Sequence, residues 1–208
     1  MEEYVTREIV CKLCANKFKS LMVRKSKIKV NKTDSDYCIH YDGEVPFYYN
    51  ILICPDCGYT CSDSFKKPPE GLKEKINPLP DVFSGKRSAA TAQLLFKRAI
   101  DFALLQHEKD TVLANLYLHL AWIFRFCGDN ENENSAIKKA LDYYLKVYEK
   151  SDLTDPSKVT YLIGELHRRL RNNKDAVYWF SRVTNDPGSS QAAKRMAREA
   201  WQSLKDFH

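Results

Sequence analysis

Cys54-Pro55-Asp56-Cys57-Gly58, read with Cys11-Lys12-Leu13-Cys14 upstream of it, decides how this chain is organised. Four thiolates presented as two tight knuckles make a closed tetrahedral site, which a d¹⁰ ion such as zinc holds as a cross-link without redox chemistry. The two-residue spacer lets both sulfurs of a knuckle face one ion. Pro55 stiffens the second knuckle, and Gly58 removes the Cβ that would crowd backbone amides donating to sulfur. One structural Zn²⁺ per chain is therefore expected, on Cys11, Cys14, Cys54 and Cys57. A redox dithiol is the competing reading of the same four residues.

Around the knuckles, residues 1–65 carry short runs of β-branched and aromatic residues. Ile28-Lys29-Val30 alternates as a half-buried strand does, and Phe47 to Cys54 is a nearly continuous apolar run between Pro46 and Pro55. Asp42-Gly43 fits a hairpin turn joining Tyr37–Tyr41 to that run. A β-rich unit of this size buries little apolar surface by itself, so a metal staple is physically reasonable. Residues 66–87 hold Pro68, Pro69, Pro78 and Pro80 and read as a linker. Its end, Gly85-Lys86-Arg87-Ser88, looks superficially like a phosphate loop. Pro80 stands where the first Gly belongs, however, and Arg87 where a magnesium-binding hydroxyl belongs. Ser88 reads instead as a helix N-cap.

From Ser88 onward the apolar period becomes helical, with helices expected at 88–107, 110–127, 133–150, 157–171, 173–184 and 189–206. The fold class is thus α+β: a small zinc-ribbon-like domain at 1–65, the linker, and an all-α array at 88–208. The array carries a repeat signal. Counted from Ser157, Gly164, Ala176 and Phe180 occupy the small, small and aromatic positions of a tetratricopeptide unit, where paired helices must approach closely. Pro187 comes one residue early, and the preceding unit fits more loosely, through Leu120-Ala121, Ala136 and Ala140.

Composition excludes some classes. The 208 residues are 44% apolar and 29% charged, ordinary for a globular protein, and no run approaches the roughly 20 apolar residues of a membrane span. Seven cysteines without a secretion signal suit reduced thiols in the cytoplasm. Cys38 and Cys127 read as small buried hydrophobes. Cys61, four residues after Cys57, reads as a bystander, with a competing ligand or a thiol switch as alternatives. The Cys-Pro-x-Cys-Gly knuckle also occurs around the iron of rubredoxins, but Ala15-Asn16-Lys17-Phe18 lacks the matching Gly, which favours zinc. His40 with Asp34, Asp36 and Asp42 allows a second metal site or an acid–base cluster, but turn capping is the simpler reading. With no Ser-His-Asp or Cys-His arrangement, the chain is not expected to be an enzyme.

The knuckles together with Phe18, Asp34-Ser35-Asp36-Tyr37-Cys38, Tyr41, Pro46, Tyr49 and Tyr59 resemble a bacterial family known as domain of unknown function 2225. The resemblance continues weakly through Leu120-Ala121-Trp122 and Gly128-Asp129. It implies a zinc-ribbon-like head followed by tetratricopeptide-like helices, and no established activity. Cys61 departs from the family pattern, which has a small apolar residue there, while Asp34, Asp36 and Tyr37 match it as a binding surface or a brace. Two functional readings follow. The first is an interaction protein whose helical array holds a protein or peptide partner. The second is nucleic-acid binding through the basic stretch Lys17 to Lys32, although alternating lysines also protect a sheet edge.

Overall fold

The computed structural model describes residues 3–72, 85–150 and 155–205. Pro78 and Pro80 of the expected linker lie outside them. Six short strands come first: β1 (Tyr4–Val10), β2 (Lys17–Val23), β3 (Lys29–Thr33), β4 (Ile39–Asp42), β5 (Ile51–Ile53) and β6 (Thr60–Ser62). They pair as three antiparallel two-stranded ribbons, β1 with β2, β3 with β4 and β5 with β6. Six helices follow: α1 (Ala89–Leu105), α2 (Asp110–Phe126), α3 (Asn130–Glu149), α4 (Pro156–Arg169), α5 (Asn173–Asn185) and α6 (Gln191–Lys205), each packed on the next.

Two expectations for the β region need correction. β4 turns back onto β3 rather than onto the apolar run, and that run divides into a 3₁₀ turn at Pro46–Tyr49 and the three residues of β5. Pro46 is the cause, since its fixed φ suits the first position of a helical turn and it has no N–H for a ladder. The turn buries Phe47, Tyr48 and Tyr49 together. β3, meanwhile, is exposed along its whole length, with Val30 52% accessible, so Ile28-Lys29-Val30 begins an outer edge strand.

The helices start where the capping chemistry directs. Ser88 Oγ accepts from the Thr91 amide at 3.2 Å, Asp129 accepts from Asn132, and Asp155 accepts from Lys158 with Pro156 following it. Cys127 departs from its expected role. As the residue closing α2 it is exposed, because the chain turns away there through Gly128 at φ 69°.

One hydrophobic core runs from Ile9 and Val23 through Tyr49, Ile51 and Tyr59 into α1, α2, α3 and the inner face of α4. The β region therefore closes its core on the helices. Arg87 is buried and cements this junction, donating from Nη1 to the carbonyls of Tyr48 (2.8 Å) and Ile51 (2.7 Å), while its amide donates to Tyr49 OH. A second cluster joins Tyr161, Ala176, Phe180 and Val183 to three alanines of α6.

Gly164 shows how tightly α4 meets α5. A Cβ there would lie 2.8 Å from two ring atoms of Phe180 and 3.2 Å from Trp179 Cβ. Phe180 is fully buried and has nowhere to move. Ala would gain up to about 1 kcal/mol of helix propensity, against about 1–3 kcal/mol of overpacking. Gly164→Ala is therefore expected to lower stability in urea denaturation and Gly164→Val to lower it further. A stabilised Ala variant would show that the helices separate freely.

Candidate metal centre

The knuckles are built alike although their sequences differ. In the first, the Ala15 amide donates to Cys11 O at 3.1 Å and the Cys11 amide to Asn16 O at 2.9 Å. In the second, Gly58 donates to Cys54 O and Cys54 to Tyr59 O, both at 2.9 Å. Each loop turns through a left-handed residue, Ala15 at φ 60° and Gly58 at φ 71°. Ala at this position carries a steric strain that Gly avoids, so the missing first-knuckle glycine changes the strain and not the shape.

This repetition brings all four sulfurs within 4.8 Å of one another. Cys11 Sγ lies 3.7 Å from Cys57 Sγ, and Cys14 Sγ 3.6 Å from Cys54 Sγ. Tetrahedral coordination with Zn–S bonds of about 2.3 Å puts sulfurs about 3.8 Å apart. The spacing fits a four-thiolate metal site, and these cysteines could hold one ion. Burial pushes the Cys14 thiol up to about 11 and raises Cys57 too, whereas amides of Cys57 and Asp56 overcome burial and lower Cys54. The Leu13 amide also points at Cys11 Sγ, 3.4 Å away. Amides directed at sulfur stabilise thiolates, and a bound cation would relieve the crowding of the rest.

Neighbouring elements fix each knuckle. Lys12 Nζ donates to the carbonyls of Asp63 (2.9 Å) and Phe65 (2.6 Å), tying the first knuckle to the chain after β6. Arg98 of α1 donates to Gly58 O from Nε and Nη2, and Tyr59 OH donates to Gln106 Oε1 at 2.9 Å. The second knuckle is thus anchored to helices, the first mainly to other β-region backbone. Cys61 is buried on β6 outside the four-sulfur group, and burial pushes its thiol up to about 12.

A second charged centre lies where the chain turns through Asp34-Ser35-Asp36. Asp36 has no accessible surface. It accepts from Arg125 Nη2 (2.6 Å) and Nη1 (3.1 Å), Trp122 Nε1 (3.1 Å), Arg169 Nη2 (3.2 Å) and the Cys38 amide (3.4 Å). Arg125 also reaches Asp34 at 2.9 Å and Glu133 at 2.7 Å. Glu165, likewise fully buried, pairs with Arg168 and Arg169 and accepts from Ser35 Oγ at 2.6 Å. Tyr161 OH donates to Ser35 O at 3.0 Å.

This segment is therefore a brace that plugs the β region into α2, α3 and α4. Asp34, Cys38 and His40 do converge within 4.8 Å. The Asp34 oxygen facing His40 Nε2 at 2.7 Å also faces Arg125, a fixed positive charge that opposes a second cation. Asp42, named with them from sequence, is exposed on β4. The helical partners of Asp36 are not legible in sequence, because Arg125 and Arg169 lie 89 and 133 residues along the chain from it.

Among the described residues no helix is long and apolar enough to cross a membrane. The family model described as "Uncharacterized protein conserved in bacteria (DUF2225)" matches residues 4–204. No curated protein matches the chain.

Proposed function

The chain belongs to this DUF2225 family, and on that premise we propose that it is a zinc-stapled adaptor whose tetratricopeptide-like helices hold a protein or peptide partner. The observation that carries the reading is a ring of aromatic residues around an arginine on α3 and α5. Arg182 Nη2 donates to Tyr148 OH at 2.6 Å and Nη1 to Tyr178 OH at 3.1 Å, and the guanidinium lies 5.9 Å from the Trp179 ring centre. Tyr178 is 53% exposed. Tyr, Trp and Arg are the side chains that dominate binding energy at protein interfaces, being large and already rigid before contact. The close approach of Gly164 to Phe180 supports the repeat reading. Thiolate ligands suit a reducing compartment, the cytoplasm, and the metal acts as a cross-link rather than a catalyst.

The second reading is nucleic-acid binding through the head, favoured by Lys17, Lys19, Lys25, Lys27 and Lys29 all being exposed. Affinity capture with the full chain separates the two. The adaptor reading expects reproducible partners that survive nuclease and are lost with Tyr178→Ala/Arg182→Ala. Capture that nuclease abolishes, or that weakens steeply with salt and with charge reversal at Lys25, Lys27 and Lys29, supports the second reading. An unchanged set of proteins from the double variant removes the first.

A further inference from the structure

We propose that the cleft between the Tyr37–Phe47 segment and helices α2, α3 and α4 binds a small planar aromatic anion. The cleft holds about 310 Å³, within the range of small-molecule sites, which are apolar clefts with a few placed polar groups. Tyr37, Phe47, Trp122 and Tyr144 line it with ring surface, and Lys25 and Lys158 add two ammonium groups. The inference is independent of the adaptor reading.

The charges decide the sign of the ligand. Asp36 also lines the cleft, but it belongs to a balanced network in which Lys32, Arg125, Arg168 and Arg169 face Asp34, Asp36, Glu133 and Glu165. Neither Lys25 nor Lys158 has an ion pair within 4 Å among the described residues and both are exposed; Asp155 acts on Lys158 from farther off, so two lysines against one carboxylate leave the cleft mouth net positive. Flat walls select a flat ligand, since offset or edge contacts between rings exceed simple area burial. Phe47 and Trp122 already meet edge to face at 5.7 Å, and Tyr144 OH is fixed by Asn115 Oδ1 at 2.8 Å.

A second observation lies in the backbone. Tyr37 sits at φ 66°, rare for a bulky residue, held there by its amide bond to Asp34 O and by the Asp34 amide to Cys38 O. Strain of this kind persists where the surroundings over-determine it and clusters at ligand clamps. Lys158 Nζ lies 5.0 Å from the Tyr37 ring centre, so one lysine and one ring wall are already joined.

The test titrates the full chain with 8-anilinonaphthalene-1-sulfonate and with N-phenyl-1-naphthylamine, which has the same rings and no anion. Saturable one-to-one binding is expected, about tenfold tighter for the anion, and Lys25→Gln/Lys158→Gln should erase that preference while leaving the melting temperature unchanged. In ¹H–¹⁵N spectra the Trp122 indole signal should shift on binding, and those of Trp179 and Trp201 should not. Equal affinity for both probes, absence of saturation, an unaffected double variant or an unmoved Trp122 signal would each overturn the proposal.

Discussion

Cys57→Ser is expected to reduce bound metal from one equivalent per chain to below about a tenth, because a fourth thiolate supplies a large part of the roughly 10–16 kcal/mol with which such sites hold zinc. Cys14→Ser should do the same, and Cys127→Ser should keep the metal, its thiol being exposed at the end of α2. The sequence alone suggests that residues 1–65 as a whole would unfold with metal loss, leaving the helices independent. The packing predicts a narrower response. Gly58 and Tyr59 are held by Arg98 and Gln106, and β5 with β6 sits in the common core, so the second knuckle keeps helical support. The β1–β2 hairpin buries little beyond Ile9, Ser20 and Val23. In the metal-free protein, hydrogen exchange should rise first across residues 4–23, with α2 and α3 unchanged. Loss of protection spread evenly over 4–62 would instead make the β region one metal-dependent unit, and retention of metal by Cys57→Ser would remove the four-cysteine site.

The contrast shows which features a linear sequence carries. Local chemistry was legible: two Cys-x-x-Cys knuckles, the Ser88 cap, and apolar faces such as Leu113, Leu116 and Leu120 that are buried as their spacing implies. These depend on residues a few positions apart. Strand pairing was less so, because Pro46 diverts the chain into a helical turn whose three aromatics read equally well as a strand. The brace was illegible for a stronger reason. Asp36 finds Arg125 and Arg169 at sequence distances that no periodicity spans, and a half-buried arginine looks in sequence like an exposed one. Tryptophan offered the one hint, since Trp122 amid the apolar face of α2 carries an N–H that needs an acceptor when buried.

That brace yields the largest single-residue effect expected outside the metal site. Arg125 contacts Asp34, Asp36 and Glu133 at once. Arg125→Ala leaves Asp36 fully buried with only Arg169, Trp122 and one amide, and breaking a buried pair from one side costs about 3–5 kcal/mol. A fall in melting temperature of about 10 °C is expected for a chain of this length. Lysine should rescue poorly, having one point charge where the guanidinium fork serves three carboxylates. The pH dependence tells this from a mere packing defect. Burial would raise both carboxyls, but Arg125 and its neighbours hold Asp36 below the usual carboxylate range, and His40, Lys32 and Arg125 bring Asp34 to about 2. Depressed acids contribute stability above their unfolded value near 3.9, and that contribution fades as pH falls through the folded value. Without Arg125 the opposing burial dominates, so Asp36 should take up a proton at higher pH and relieve its own penalty. The stability gap between native protein and Arg125→Ala should therefore be widest near pH 7 and close towards pH 3. Asp36→Asn introduced into Arg125→Ala should recover part of the loss at pH 7 by removing the stranded charge. A gap that stays constant with pH, unaffected by Asp36→Asn, would assign Arg125 a packing role alone.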